Sequence, residues 1–305
     1  MGRVVAVGSV NIDRVIRMQT LPVTGETVIG HPASSGFGGK GANQAAAAAM
    51  LGARTCLLAA VGTDAAGSAA IADLRERGIA IDRVRRIPGE PTGEAIVYVA
   101  DDGENLIVVV PGANARLTGA DVAADLSALS LEPNDVLLTC AEVSDDCLKQ
   151  AVSAASAASA RIVLNLAPAR PLADWMLTPH AVIVLNEVEA TQVTSARSAE
   201  AAVAMLVAHA GAVVVTLGAH GALAAEGEQL IEVTAPRVPL VDSTGAGDAM
   251  CGAMAADLAD GASLAESVRT GVFAGAVAVT ALGARGAIAT RALLANFESV
   301  AGPPD

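Results

Sequence analysis

Short apolar runs recur along the chain, each a few residues long and closed by glycine or a polar turn. Residues 4–7, 55–61, 136–138, 162–166, 182–185 and 212–216 predict buried strands. Alanine-rich or periodic stretches lie between them. Helices are predicted over 42–50, 67–77 (closed by Gly78), 144–160, 187–196 and 198–210, then after Asp248 and over 264–280. Strand and helix in alternation imply a mostly parallel sheet covered on both faces, an α/β fold.

Two stretches break this texture. "SVNIDRVIRMQTLPVTGETVIGHPASS" alternates apolar with polar residues and turns at Pro22 and Gly25. "TGEAIVYVADDGENLIVVV" alternates again, with a hairpin predicted between 95–100 and 105–110 around Asp102-Gly103. The segments at about 12–40 and 92–112 read as two β excursions from one body, meeting as a small second layer. Residues 223–225 and 229–233 predict a further antiparallel pair. No long linker and no solenoid repeat divides the 305 residues, so one domain over 1–305 is expected.

Composition narrows the partners. Acidic residues outnumber basic ones 32 to 19, a net charge of −13, which weighs against nucleic acid and anionic membranes. A small anion remains possible, because local backbone dipoles outweigh a remote net charge. Cys56, Cys140, Cys147 and Cys251 form no C-x-x-C pair, as expected of reduced cysteines in a cytoplasmic protein. The longest late uncharged run, between Arg269 and Arg285, is too short for a membrane span and is broken by glycines.

Two glycine-rich stretches carry the candidate chemistry. Gly36 to Gly41 reads literally as G-x-G-x-x-G, but "GHPASS" before it predicts no leading strand, and Lys40 is followed by Gly41 rather than Ser or Thr. Lys40, Asn43 and Gln44 stand at the mouth of an apolar helix, where bare glycine backbone admits a ligand closely. That mix suits a polyol better than a pyrophosphate. Asn11 and Asp13 follow the first strand, at the end where α/β sheets present ligands. In "VDSTGAGDAMCGAMAADL", Gly245-Ala246-Gly247 leads into a helix at Asp248. Unpaired amides and the helix dipole there make an anion site needing no basic side chain. Asp248 reads either as an ordinary acid in a first turn or as a general base beside that site.

"GGKGANQA" and "DSTGAGD" resemble the two signatures of the ribokinase-like (PfkB) carbohydrate kinase family. The likeness runs in order through "GSVNID", "LPVTGETV", "TGEAIVYV", "GENLIVVVPGANARLT", "NLAPAR", "NEVE" and "TLGAHG". It implies a doubly wound α/β domain with a β-sheet lid, a homodimer through that lid, and ATP-dependent phosphorylation of D-ribose at its 5-hydroxyl. By resemblance Asp248 is the base, and Gly245, Ala246 and Gly247 form the anion hole. Asn11, Asp13, Gly39, Lys40, Asn43 and Glu142 match sugar-contacting positions. Asn186 and Glu189 match the element that organises Mg²⁺-bound water. Thr216 and Gly218 match the nucleotide site, with His220 a loop residue beside them. Asp242, the carbonyl of Thr244 and carbonyls near Ala278, Ala281 and Gly283 match a K⁺ site. Ala287 departs from relatives that often offer a serine there, and Val272 and Phe273 stand near a position that is often a polar adenine neighbour. A kinase for fructose, deoxyribose or a nucleoside, an inactive sugar sensor and, most weakly, a dehydrogenase are the alternatives.

Overall fold

Successive side chains of the central strands point to opposite faces and enter separate cores. In the computed structural model, which describes residues 2–102 and 104–301, Val4 and Ala6 of the first strand join one core while Val5 and Val7 join the other. In chain order the strands are β1 (Arg3–Val7), β2 (Asn11–Met18), β3 (His31–Gly38), β4 (Arg54–Gly62), β5 (Val84–Ile87), β6 (Gly93–Ala100) and β7 (Asn105–Val110). They continue with β8 (Val136–Cys140), β9 (Arg161–Asn165), β10 (Ala181–Asn186), β11 (Ala212–Thr216), β12 (Ala222–Glu226) and β13 (Gln229–Val233). The helices are α1 (Lys40–Met50), α2 (Ala65–Glu76), α3 (Gly119–Leu129), α4 (Asp145–Ala157), α5 (Glu187–Thr194), α6 (Ala199–Val207), α7 (Ala246–Ala259), α8 (Leu264–Ala278) and α9 (Arg291–Ala301).

Among the described residues two sheets form. The larger has nine strands in the order β13-β12-β11-β10-β9-β8-β1-β4-β5, parallel from β11 to β5 with β12 and β13 antiparallel at one edge. Helices α1, α2, α7 and α8 cover one face, and α3, α4, α5 and α6 the other. The chain leaves β1 for β4 on one side and reaches β8 on the other. This is a topological switch point, where such sheets open a crevice at the carboxyl ends of their strands. The smaller sheet, β3-β2-β6-β7, joins the two excursions: β2 runs parallel to β6, and β3 and β7 flank them antiparallel.

Several local expectations change. A strand, β3, does lead into the first glycine loop, because its polar residues need only one partner in the small sheet. It still lacks a dinucleotide fold's geometry, since it is antiparallel to β2 and outside the parallel sheet. Asp64, after the next strand, caps α2 by accepting from Gly67 N at 2.8 Å. Helix α7 begins at Ala246, so Ala246 and Gly247 are inside it and Asp248 is its third residue. Strands β12 and β13 pair as expected and extend the large sheet. Strand β5 and helices α3 and α9 were not anticipated. Gly103, at the predicted hairpin tip, lies outside the described residues. All four cysteines are free thiols, and among the described residues no helix is long and apolar enough to cross a membrane.

Candidate active site

Helices α1 and α7 meet almost backbone to backbone. A side-chain carbon on Gly252 would lie 2.4 Å from the Gln44 carbonyl oxygen, so only glycine permits this approach. Asp248 is four residues before Gly252, on the same face of α7, and the contact delivers it to α1. There Asn43 Nδ2 donates to Asp248 Oδ2 at 3.1 Å and Gln44 Nε2 donates to Asp248 Oδ1 at 3.0 Å. All three residues are buried. The Asp248 carboxylate is thus oriented by two amides from another element.

The tip of α7 is built to stay open. Gly245 caps it at φ 81°, a left-handed conformation that glycine adopts without strain. A side-chain carbon there would also lie 2.7 Å from the Ala284 backbone. The intrahelical ladder starts with Ala249 N donating to Gly245 O at 2.8 Å, so the N–H groups of Gly247 and Asp248 precede it. Gly247 is exposed with open space around its α-carbon. Backbone donors and the positive end of the helix dipole therefore face solvent one residue from a buried carboxylate.

Glu142, just beyond β8, closes the other helix tip. Its Oε2 accepts from Lys40 N at 3.0 Å and from the Ser9 hydroxyl, capping α1 from outside where Gly39 offers no side chain. The Lys40 ammonium is held well above its usual range by Asp248, with Glu142 adding to the effect and burial opposing it. Asn11 is buried and its Oδ1 accepts from Asn114 Nδ2 at 2.8 Å. Asn114 in turn accepts from Val10 N at 2.9 Å, so it fixes the chain leaving β1. Asp13 lies over Gly38: a side-chain carbon on Gly38 would meet both its carboxylate oxygens at 2.1 Å. Burial pushes the Asp13 carboxyl up to about 6; Arg285 and Lys40 pull it down, while Glu142 and Asp248 push it further up.

Asn11, Asp13, Gly39, Lys40, Asn43, Glu142 and Asp248 thus gather at the switch point, under the small sheet. Asn186 and Thr216 stand side by side at the carboxyl ends of β10 and β11. Asn186 and Glu189 form a reciprocal capping box on α5, with both bonds at 2.8 Å. Each spends one side-chain atom on this structural task. Gly218, at φ 55°, opens the short turn after β11, and His220 in that turn is exposed. Val272 and Phe273 are buried in the core.

Asp242 ties two loops together. Burial alone would raise its carboxyl, but hydrogen bonds from the Thr244 hydroxyl and from the Gly283 and Thr244 amides outweigh it and hold it low. Val241 N and Asp242 N donate to Val279 O at 2.8 and 3.2 Å, which brings the loop of Asp242 and Thr244 against that of Ala278, Ala281 and Gly283. Together with main-chain carbonyls of these two loops, a carboxylate held ionised would make an all-oxygen donor set, which suits a hard cation.

Three participants escaped the sequence reading. Ser9 and Asn114 lie within the quoted stretches "GSVNID" and "PGANARLT"; the signal was a polar residue in an otherwise apolar setting. Arg285, in a glycine-rich turn, gave no signal at all, yet its guanidinium reaches Asn43, Asp73 and the Gly38 carbonyl.

Fold and site together define a doubly wound α/β protein with a ligand crevice at its switch point, framed by two glycine-opened helix tips. The sequence matches the pfkB family carbohydrate kinase over residues 1–291. It is 34% identical to a ribokinase of Schizosaccharomyces pombe over 94% of this chain and 95% of that protein. It is 33% identical to a ribokinase of Bacillus subtilis over 95% and 97%. The structure of Arabidopsis thaliana ribokinase complexed with ribose and ATP superposes with a TM-score of 0.85 at 29% identity, covering 97% of this chain and 99% of that one. The chain belongs to the pfkB family of carbohydrate kinases and is an ATP-dependent sugar kinase.

Proposed function

We propose that the chain transfers the γ-phosphoryl group of ATP to the 5-hydroxyl of D-ribose. One observation carries this reading: a buried, doubly hydrogen-bonded carboxylate, Asp248, stands one residue from the open tip of α7. A hydroxyl placed there has a base on one side and anion-holding amides on the other. Asp248 takes the proton of the hydroxyl as that oxygen attacks the γ-phosphorus and ADP leaves, while the amides at the Gly245, Ala246 and Gly247 tip hold the charge on the transferred group; of these the Ala246 N–H also donates to Ser243 O at 3.3 Å. Positioning and charge stabilisation carry such transfers, with little covalent work left to the protein.

The sugar is held by Asn11, Asp13, Gly39, Lys40, Asn43 and Glu142, a set of donors and acceptors without an aromatic platform, which favours a bare polyol over a nucleoside. The curated relatives above carry the name ribokinase, and the Arabidopsis structure is a complex with ribose and ATP. Thr216 and Gly218 meet the nucleotide. Asn186 and Glu189 would hold Mg²⁺, and Asp242 with the carbonyls of Thr244, Ala278, Ala281 and Gly283 would hold K⁺. When bound, Mg²⁺ would neutralise charge on the phosphates.

The whole chain works as one kinase domain, with segments 12–40 and 92–112 as a lid that keeps water from competing as acceptor. A homodimer through that lid is supported by β7, an edge strand on which five successive residues from Leu106 to Val110 are 41–57% exposed. Apolar side chains on both faces of that strand are left about half exposed in a single chain. A coupled ADP-release assay with ribose, fructose, deoxyribose and adenosine, with and without K⁺, tests the proposal. Ribose should give the highest kcat/KM, with K⁺ raising the rate. No sugar-dependent ADP release, or preference for another acceptor, refutes it.

A further inference from the structure

The side chain of Arg285 is 6% exposed, and its guanidinium joins three elements. Its Nε donates to Asn43 Oδ1 at 2.8 Å on α1, its Nη1 to Asp73 Oδ2 at 2.5 Å on α2, and its Nη2 to the Gly38 carbonyl at 3.1 Å at the end of β3. Asp73 is itself steadied by Arg77 Nε at 3.0 Å. The turn that carries Arg285 is closed by Gly286 N donating to Gly283 O at 3.0 Å, and its Ala284 backs onto Gly245.

The chemistry at Asn43 is asymmetric. Arginine only donates, so the atom of Asn43 facing it must be the carbonyl oxygen. The amide nitrogen is then turned to the other side, where Asp248 only accepts when ionised. A rigid planar fork does this while also holding Asp73 and the Gly38 carbonyl; a single ammonium cannot make all three bonds in those directions. The same fork holds the end of β3, whose Gly38 lies under Asp13.

We propose that Arg285 is a positioning residue for phosphoryl transfer: it locks the Asn43 amide toward Asp248 and pins the end of β3 to that amide, so that the sugar-holding strand and the base keep one geometry. It touches neither substrate nor reacting atoms. The inference rests on the reading of Asp248 as base. That reading is tested separately by ribose turnover in the unaltered protein and its loss in Asp248→Asn.

A double-mutant cycle of Arg285→Met with Asn43→Ala, read as kcat per folded protein, tests it. Arg285→Met should lower kcat about tenfold and raise the ribose KM, with the ATP KM within about twofold of normal; a hydrogen bond to a charged group is the right size for this. In the Asn43→Ala background the same change should cost less than about threefold, because its target is gone. Equal losses in both backgrounds overturn the proposal, as does a rise confined to the ATP KM. Asp73→Asn removes the ion pair but leaves the Asn43 contact. It should lower the melting temperature and leave kcat within about twofold; a loss as large as that of Arg285→Met shows a general structural effect and overturns the proposal. If Arg285→Met does not fold, Arg285→Lys keeps the cation opposite Asp73 without the fork. It should show the same Asn43-dependent loss, and normal kcat in this variant overturns the idea in a protein that passes the Asp248 tests.

Discussion

Asp13 stores a cost that one substitution should release. Its carboxyl is pushed from 3.8 to about 6, chiefly by burial over the Gly38 backbone and against the pull of Arg285. A carboxyl harder to ionise in the folded chain than in the unfolded chain destabilises the fold wherever it is charged. Converting the shift gives about 3 kcal/mol at neutral pH, which partial contact with water trims to about 2–3 kcal/mol. The sign follows from proton counting. Between 3.8 and about 6 the folded state binds more protons than the unfolded one, so the penalty is absent below that window, grows as pH rises through it, and is complete above it. Asp13→Asn keeps the shape and removes the charge. At pH 8 it should be about 2–3 kcal/mol more stable than the parent, roughly 4 °C in Tm for a chain of this size. At pH 5 the advantage should shrink to roughly half. The same variant should lose about 10- to 100-fold in kcat/KM for ribose, because a charged acceptor for sugar hydroxyls is gone. Thermal melts at pH 8 and pH 5, with ADP-release kinetics beside them, decide it. A variant no more stable than the parent at pH 8, or an advantage unchanged at pH 5, refutes the reasoning.

Asp248→Asn should lower kcat by about 10²- to 10⁴-fold, the usual worth of a general base, while circular dichroism stays that of the parent; near-normal kcat would remove Asp248 from that role. Gly245→Ala forces a side chain into a left-handed cap and against Ala284. It should cost about 1–2 kcal/mol in urea melts and raise the ATP KM, since the strain falls on the phosphate-holding tip. Val108→Lys with Val110→Lys places charge on the uncovered edge strand. Sedimentation should then show monomers in place of dimers, and an unchanged mass would place the subunit contact elsewhere.

The parallel body was legible because its strands are continuous apolar runs and its helices lie between them. The two glycine stretches were legible because bare backbone at a helix tip has few uses. Helix α3 carried a signal that went unread: Thr118 and Asp121 make a capping box just ahead of its apolar positions. Strand β5 was hidden by its two adjacent arginines; Arg85 is drawn out of the strand pattern by ion pairs to Asp121 and Asp125 on α3. Arg285 was beyond reach for a different reason. Its partner Asn43 is 242 positions away, and nothing in a turn of glycine and alanine says that the turn folds back under a helix tip.

The electrostatics of the site explain how so acidic a chain can handle a triphosphate. Asp13, Glu142 and Asp248 face Lys40 across one small space, and Arg285 is already engaged by Asp73. Counted as side chains, the neighbourhood is negative, and the net charge of −13 points the same way. Attraction from afar therefore cannot bring the nucleotide in, and screening removes most of the repulsion beyond about 8 Å at physiological salt. What remains is short-range: the amides of Gly247 and Asp248 at the tip of α7, which, unlike the tip of α1, receives no capping carboxylate among the described residues. Glu142 supplies the contrast. It caps α1 and so removes that helix tip from anion binding, which agrees with the proposed use of Lys40 and the bare glycine backbone for uncharged hydroxyls. On the proposed assignment of ligands, the two glycine-opened helix tips differ in one feature: one is capped by a carboxylate from across the sheet, and the other is left open.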